Sequence, residues 1–87
     1  MIKAWADKAW EDYLWWQEHD RKMLKRINRM IREIEREPFE GIGKPEPLRG
    51  NRSGFWSRRI DAANRIIYTV QDDELRIVSA KDHYGDK

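Results

Sequence analysis

The stretch that decides the fold runs from Phe55 to Ala80, FWSRRIDAANRIIYTVQDDELRIVSA. Three runs of strand character, Phe55 to Ile60, Asn64 to Val70 and Glu74 to Ala80, are separated by Asp61-Ala62-Ala63 and by Gln71-Asp72-Asp73. Connections this short join strands running in opposite directions, so an antiparallel meander is predicted. Residues 66 to 70, Ile-Ile-Tyr-Thr-Val, concentrate β-branched and aromatic side chains and read as a central strand. Alternation puts Ser57 and Arg59 on one face of the first strand, and Arg65, Ile67 and Thr69 on one face of the second. The sequence leaves the hairpin register open. Should Arg59 and Arg65 face each other, two cations lie side by side, an unfavourable pairing unless an anion sits between them.

Working upstream, Arg21 to Glu37 carries Leu24, Ile27, Met30, Ile31 and Ile34 along one helical stripe. Asp20 is a good cap for this helix, and Pro38 ends it. Its remaining surface is mostly basic (Lys22, Lys25, Arg26, Arg29, Arg32, Arg36), most simply a solvated face, with RNA contact as the alternative. An earlier helix opens at Ala6-Asp7, with Asp7 as expected N-cap and Trp10, Tyr13, Leu14 and either Trp16 or Gln17 at helical spacing. Trp10, Trp15 and Trp16 read as core and rim packing in preference to an aromatic ligand cage. Ile2 to Trp5 alternates like a brief strand. The order is therefore β-α-α-β-β-β, an α+β domain with an N-terminal αα-hairpin on one face of a small antiparallel twisted sheet.

Eighty-seven residues make one core, and no repeat, low-complexity tract or linker divides them; residues 1–87 are one domain with 85–87 as a short tail. Hydrophobic and charged residues each make up 39%, so the core is small, and five Trp, three Tyr and two Phe supply much of its area. The absence of cysteine removes disulfide and thiolate-metal chemistry, and His19 and His83 are too far apart to suggest a metal site. No cofactor motif is present. The N-terminus MIKAWADKAW lacks a secretory apolar region and no run approaches membrane-spanning length, so a cytoplasmic location is expected.

Charge is concentrated between Lys44 and Arg65: six basic residues (Lys44, Arg49, Arg52, Arg58, Arg59, Arg65) stand against Glu46 and Asp61, a balance of +4 in a chain of net +2. Phe39 to Pro47 reads as a loop. Within it, Glu46 is held extended between Pro45 and Pro47, because a following proline disfavours the helical region. Such a carboxylate among arginines is either a base beside an anion site or a surface ion pair. Together with Arg49, Arg59, Arg65, His83 and Tyr84 it suits RNA phosphodiester cleavage without metal. A carboxylate takes the 2′-hydroxyl proton, guanidinium groups match phosphate oxygens, imidazole donates near neutrality, and an aromatic ring stacks on a base. Composition by itself, a basic patch with aromatics, favours plain nucleic-acid binding.

The segments Glu11-Asp12-Tyr13, Trp16-Gln17, Pro38-Phe39-Glu40-Gly41, Gly43-Lys44-Pro45-Glu46-Pro47-Leu48, Ser53-Gly54-Phe55-Trp56-Ser57-Arg58-Arg59-Ile60, Arg65 with Tyr68, and His83-Tyr84, with Trp5 before them, resemble the YoeB (Txe/YoeB) family of bacterial toxins in the RelE-like superfamily. The resemblance covers nearly the whole chain. It implies a RelE-like domain and a ribosome-dependent endoribonuclease that enters the ribosomal A site and cuts mRNA there, halting translation. It also implies a YefM-like antitoxin that wraps and blocks the toxin, with operator DNA bound only through the antitoxin. By position, Glu46 matches the general base, His83 the general acid, Arg65 the phosphate-stabilising arginine and Tyr84 the substrate-orienting aromatic. Lys44, Arg49, Arg58 and Arg59 are expected to contact RNA. No cofactor, metal or membrane partner is implied, and a homodimer is compatible with the sequence. Gly85-Asp86-Lys87 extends beyond the His-Tyr pair at which family chains commonly end. A non-catalytic inhibitor of a target such as DNA gyrase is the alternative, and it does not need the retained acid, base and arginines.

Overall fold

The computed structural model describes residues 1–82, so His83, Tyr84 and the 85–87 tail lie outside the described residues. Its elements are β1 (Ile2–Trp5), α1 (Asp7–His19), α2 (Arg21–Arg36), β2 (Glu46–Pro47), a 3₁₀ turn (Gly50–Arg52), β3 (Trp56–Arg59), β4 (Arg65–Gln71) and β5 (Glu74–Ser79). They form one five-stranded sheet in the order β1-β5-β4-β3-β2. The meander β3-β4-β5 is antiparallel as expected, and β2 adds to it antiparallel. β1 pairs parallel with β5, which makes the sheet mixed. A strand that reaches the far edge of the sheet through two helices can arrive in either direction, and sequence patterning carries no sign of which. The α+β class holds.

One expectation about the sheet needs correction. Glu46–Pro47, read as loop, is an edge strand in which Glu46 pairs with Ser57 and Pro47 with Trp56. Two residues suffice because the segment is extended by its prolines, and Pro47, lacking an N–H, suits only an edge. At the other hairpin, Asp72 and Asp73 both take positive φ, 52° and 61°, which gives a two-residue turn matched to strand twist. A register shift between Ile67 and Tyr68 marks a bulge: Ile67 pairs with Ser79 but Tyr68 with Ile77.

Both helices cover one sheet face. Ile27, Met30, Ile31 and Ile34 of α2 are buried, the stripe the spacing predicts, and the Asp20 carboxylate accepts from the Met23 N–H at 3.1 Å as the expected cap. In α1 the details differ. Ala6 is the N-cap and makes no side-chain cap bond, so Asp7 is the first helical residue and serves only as an acid in the first turn. The buried face is Ala9, Asp12 and Trp16, whereas Trp10 and Leu14 remain exposed. Small Ala9 lets α1 approach the sheet closely, and Trp10 turns aside to stack with Tyr13 and pack edge-on to Trp5. The core joins these helical residues to Ile60, Ile66, Tyr68, Leu75, Ile77 and Ala80. Among the described residues, no helix is long and apolar enough to cross a membrane.

Candidate active site

With the helices on one face, alternation sends Ser57, Arg59, Arg65 and Ile67 to the other. The register settles the open question of the two arginines. Arg59 lies directly opposite Arg65, and one row further along Ser57 lies opposite Ile67 on one side and Glu46 on the other. Glu46, Ser57, Arg59 and Arg65 thus converge on one patch of the sheet face away from the helices.

Arg65 is its centre. Its side chain is only 13% exposed, and Nη1 donates to Ser57 Oγ at 2.8 Å and to Glu46 Oε1 at 3.4 Å. The Ser57 bond is short and sheltered, since Ser57 is buried. The Glu46 bond is longer, and the Glu46 side chain is 61% exposed, so water screens this ion pair and weakens it. Glu46 is thus a surface ion pair with Arg65, and the geometry leaves open its reading as a base beside an anion site. Arg59 is exposed across from Arg65. Like charges directly opposite in a sheet repel, and the carboxylate of Glu46 offsets part of this. Lys44, at positive φ just before β2, and Arg49, just after it, are both exposed and flank Glu46 in sequence.

The Arg65 backbone is held as well. Its N–H donates to Asp82 O at 3.0 Å, and Asn64 Oδ1 accepts from the Asp82 N–H at 2.7 Å. The chain therefore passes the arginine patch at the residue just before His83. Ser57, Asn64 and the Asp82 carbonyl were not singled out from sequence as site residues. The face shared by Ser57 and Arg59 was the available signal for the first; nothing local signals the other two.

Arg58 corrects an expectation. It is fully buried on the helix side and does not face the patch where RNA would lie. Its Nε donates to Tyr68 Oη at 3.0 Å, Nη1 to Ile42 O at 3.2 Å, and Nη2 to Glu37 O at 2.8 Å and Glu40 O at 2.9 Å. Tyr68 in turn donates to Pro38 O at 2.6 Å. Burial raises the Tyr68 phenol above its ordinary value, while the hydrogen bond and charge of Arg58 pull it partly back. This guanidinium orders the 37–43 loop. The alternation that put Ser57 and Arg59 outward already required Arg58 to point inward. Among the described residues no group of three or more His, Cys, Asp or Glu side chains is placed to hold a metal ion.

A small sheet backed by a helical hairpin is the α+β fold of toxins of bacterial toxin–antitoxin systems. The family model described as "YoeB-like toxin of bacterial type II toxin-antitoxin system" matches residues 5–84. Toxin YoeB of Streptomyces coelicolor is 60% identical over 84 residues, covering 97% of this chain and 100% of that one. The YoeB/ParE toxin structure from Agrobacterium tumefaciens superposes with a TM-score of 0.94 at 43% identity, covering 97% of this chain and 100% of that one. The heterotetrameric YoeB-YefM complex and the YoeB dimer from Staphylococcus aureus, each 44% identical, give TM-scores of 0.89 and 0.90 over 97% of this chain and 98% of theirs. The chain belongs to the YoeB family and is the toxin of a type II toxin–antitoxin system.

Proposed function

We propose that the protein is a ribosome-dependent mRNA endoribonuclease that halts translation by cutting mRNA in the A site. The observation that carries this reading is Arg65, bridged to Ser57 and Glu46 and set opposite Arg59 on the sheet face away from the helices. Glu46 takes the proton of a 2′-hydroxyl, and the 2′-oxygen attacks the adjacent phosphorus. Arg65 and Arg59 stabilise the charge that builds on the phosphate oxygens as phosphorus becomes five-coordinate. His83 donates its proton to the departing 5′-oxygen, leaving a 2′,3′-cyclic phosphate and a free 5′-hydroxyl. Tyr84 stacks on a neighbouring base, and Lys44 and Arg49 contact the backbone on either side. Base, cations and acid are all side chains, so the scheme calls for no metal. Dependence on the ribosome follows from the small size of the domain: orientation is a large part of the barrier, and so small a sheet holds RNA poorly without a scaffold.

A YefM-like antitoxin neutralises the toxin, as the YoeB-YefM complex of S. aureus suggests by its composition. Its acidic and apolar side chains lie over the basic groove, and operator DNA is bound only through the antitoxin. The same organism's YoeB dimer supports self-association of the toxin. The site of action is the cytoplasm, where the ribosome is. Primer extension on mRNA from a programmed ribosome tests the proposal. Wild-type protein should give a discrete cut, Glu46→Ala and His83→Ala should lose it by about two to four powers of ten each, and all should keep native circular dichroism. Equal cutting by all three would sink the assigned roles.

A further inference from the structure

Asp12 and Trp16 carry part of the family resemblance, yet neither belongs to the arginine patch. Both are buried, Asp12 to 8% and Trp16 to 4% exposure, and both point at the same distant residue. Asp12 Oδ2 accepts from the Ala80 N–H at 2.9 Å, and Trp16 Nε1 donates to Ala80 O at 2.8 Å. Ala80 is the first residue beyond β5, where the regular pairing of strands has ended. Two residues later Asp82 is gripped in the same way, its N–H by Asn64 Oδ1 at 2.7 Å and its carbonyl by the Arg65 N–H at 3.0 Å. Asn64 is itself oriented, because its amide nitrogen donates to both Asp61 carboxylate oxygens, leaving Oδ1 to face Asp82.

Four hydrogen bonds thus hold Ala80 and Asp82, two residues that no strand holds. Asp82 has a φ of 72°, an uncommon conformation for a residue other than glycine, and one that persists only where its surroundings impose it. The carboxylate is costly too. A buried charge contributes less to stability than an apolar side chain of the same volume, and among the described residues Asp12 is satisfied by Lys8 Nζ at 2.7 Å and by the Ala80 N–H. A sheet end that needed only to be closed would not require it.

We infer that Asp12, Trp16 and Asn64 are positioning residues, which fix the backbone from Ala80 to Asp82 beside Arg65 and so set the point from which the chain continues to His83. The inference rests on the nuclease reading, in which His83 is the general acid. Acting through His83, the three residues contribute nothing once that imidazole is gone.

Trp16→Phe keeps an aromatic ring in the core and removes the N–H that holds Ala80. In single-turnover cleavage of ribosome-bound mRNA it should lower the rate roughly ten- to a hundredfold, with the ribosome concentration at half-maximal rate little changed. In a His83→Ala background the same substitution should change the residual rate by less than about twofold. Equal losses in both backgrounds would mean a general structural effect and overturn the inference. Asp12 and Asn64 provide the test should Trp16→Phe not fold. Asp12→Asn, which still offers an oxygen to Ala80, should recover most of what Asp12→Ala loses, and Asn64→Ala should show the same non-additivity with His83→Ala. Should the parent protein cut no mRNA, the nuclease reading falls separately. Positioning is then read by NMR: the amide signals of residues 83 and 84 and the His83 ring signals should move in Trp16→Phe and Asn64→Ala, and unmoved signals would overturn it.

Discussion

Replacing Arg58 with methionine should remove a large part of the stability of the domain, while the same change at Arg59 should barely alter it. Methionine fills a similar volume but has no donor. The Arg58 guanidinium serves the carbonyls of Glu37, Glu40 and Ile42 and the hydroxyl of Tyr68, with Glu33 Oε1 the nearest carboxylate at 3.9 Å. Glu37 and Glu40 are exposed residues whose carbonyls water can reach after the loss; Ile42 is half-buried and Tyr68 fully buried. A buried polar group left without a partner costs about 1–3 kcal/mol, so the Ile42 carbonyl plus partial losses at the other carbonyls and at Tyr68, which keeps its bond to Pro38 O, gives about 2–5 kcal/mol. In a domain of this size each kcal/mol lowers the midpoint by about 4–8 °C, so the Arg58→Met melt should fall by at least about 10 °C. Arg59 is exposed and should stay within about 0.5 kcal/mol of the parent. Thermal melts followed by circular dichroism measure both. Cleavage should respond in the opposite sense, with Arg59→Met folded but impaired. An Arg58→Met melt within about 3 °C of the parent would refute the reasoning, because the 37–43 loop would then be held without the guanidinium.

Gly43→Ala should destabilise by about 1–3 kcal/mol in urea titrations, since φ is +83° and the added Cβ would meet Met30 Cε at 2.5 Å and Arg59 O at 2.8 Å. For Tyr68, a raised phenol pKa means that stability is complete below pH 10, the unfolded value, and declines as pH climbs through the higher folded value. Alkaline unfolding monitored by phenolate absorbance should show this decline, and Tyr68→Phe, which loses two hydrogen bonds, should melt lower at neutral pH and lack that part of the alkaline loss. Arg59→Gln should leave the melt equal or slightly higher, by removing a like-charge pair with Arg65, yet reduce the melting shift produced by a short single-stranded RNA. An undiminished shift would place the anion site elsewhere.

The parts of this fold legible in the sequence were those governed by local periodicity. The α2 stripe, the Asp20 cap and the β3-β4-β5 meander all follow from spacing and turn chemistry within a few residues. What escaped was set by distant partners. Nothing near Ile2–Trp5 specifies a parallel pairing with β5, and nothing near Glu46 shows that it lies beside Ser57. The α1 stripe was displaced by one position because a small alanine and a bonded aspartate, both poor hydrophobic signals, face inward in place of Trp10 and Leu14. In the site, Glu46, Arg59 and Arg65 were visible as a charge cluster. Arg58 was misassigned by that same cluster, which counts charge without regard to the face a strand residue occupies.

β3 shows how a domain this small accommodates both a core and a site. Ser57 and Arg59 take the face away from the helices and Arg58 the helix side, so neighbouring residues of one four-residue strand border the arginine patch and anchor the 37–43 loop. On the former face the resting partner of Arg65 is the carboxylate that the proposed reaction uses as its base. In the proposed reaction a phosphate arriving at Arg65 would compete with that carboxylate for the guanidinium. Such an exchange would leave Arg65 paired throughout and free Glu46 only with the RNA backbone and its 2′-hydroxyl in place. The long and exposed Glu46 contact, beside the short and buried Ser57 contact, has the asymmetry such an exchange requires: one bond holds the arginine in position and the other is weak enough to yield.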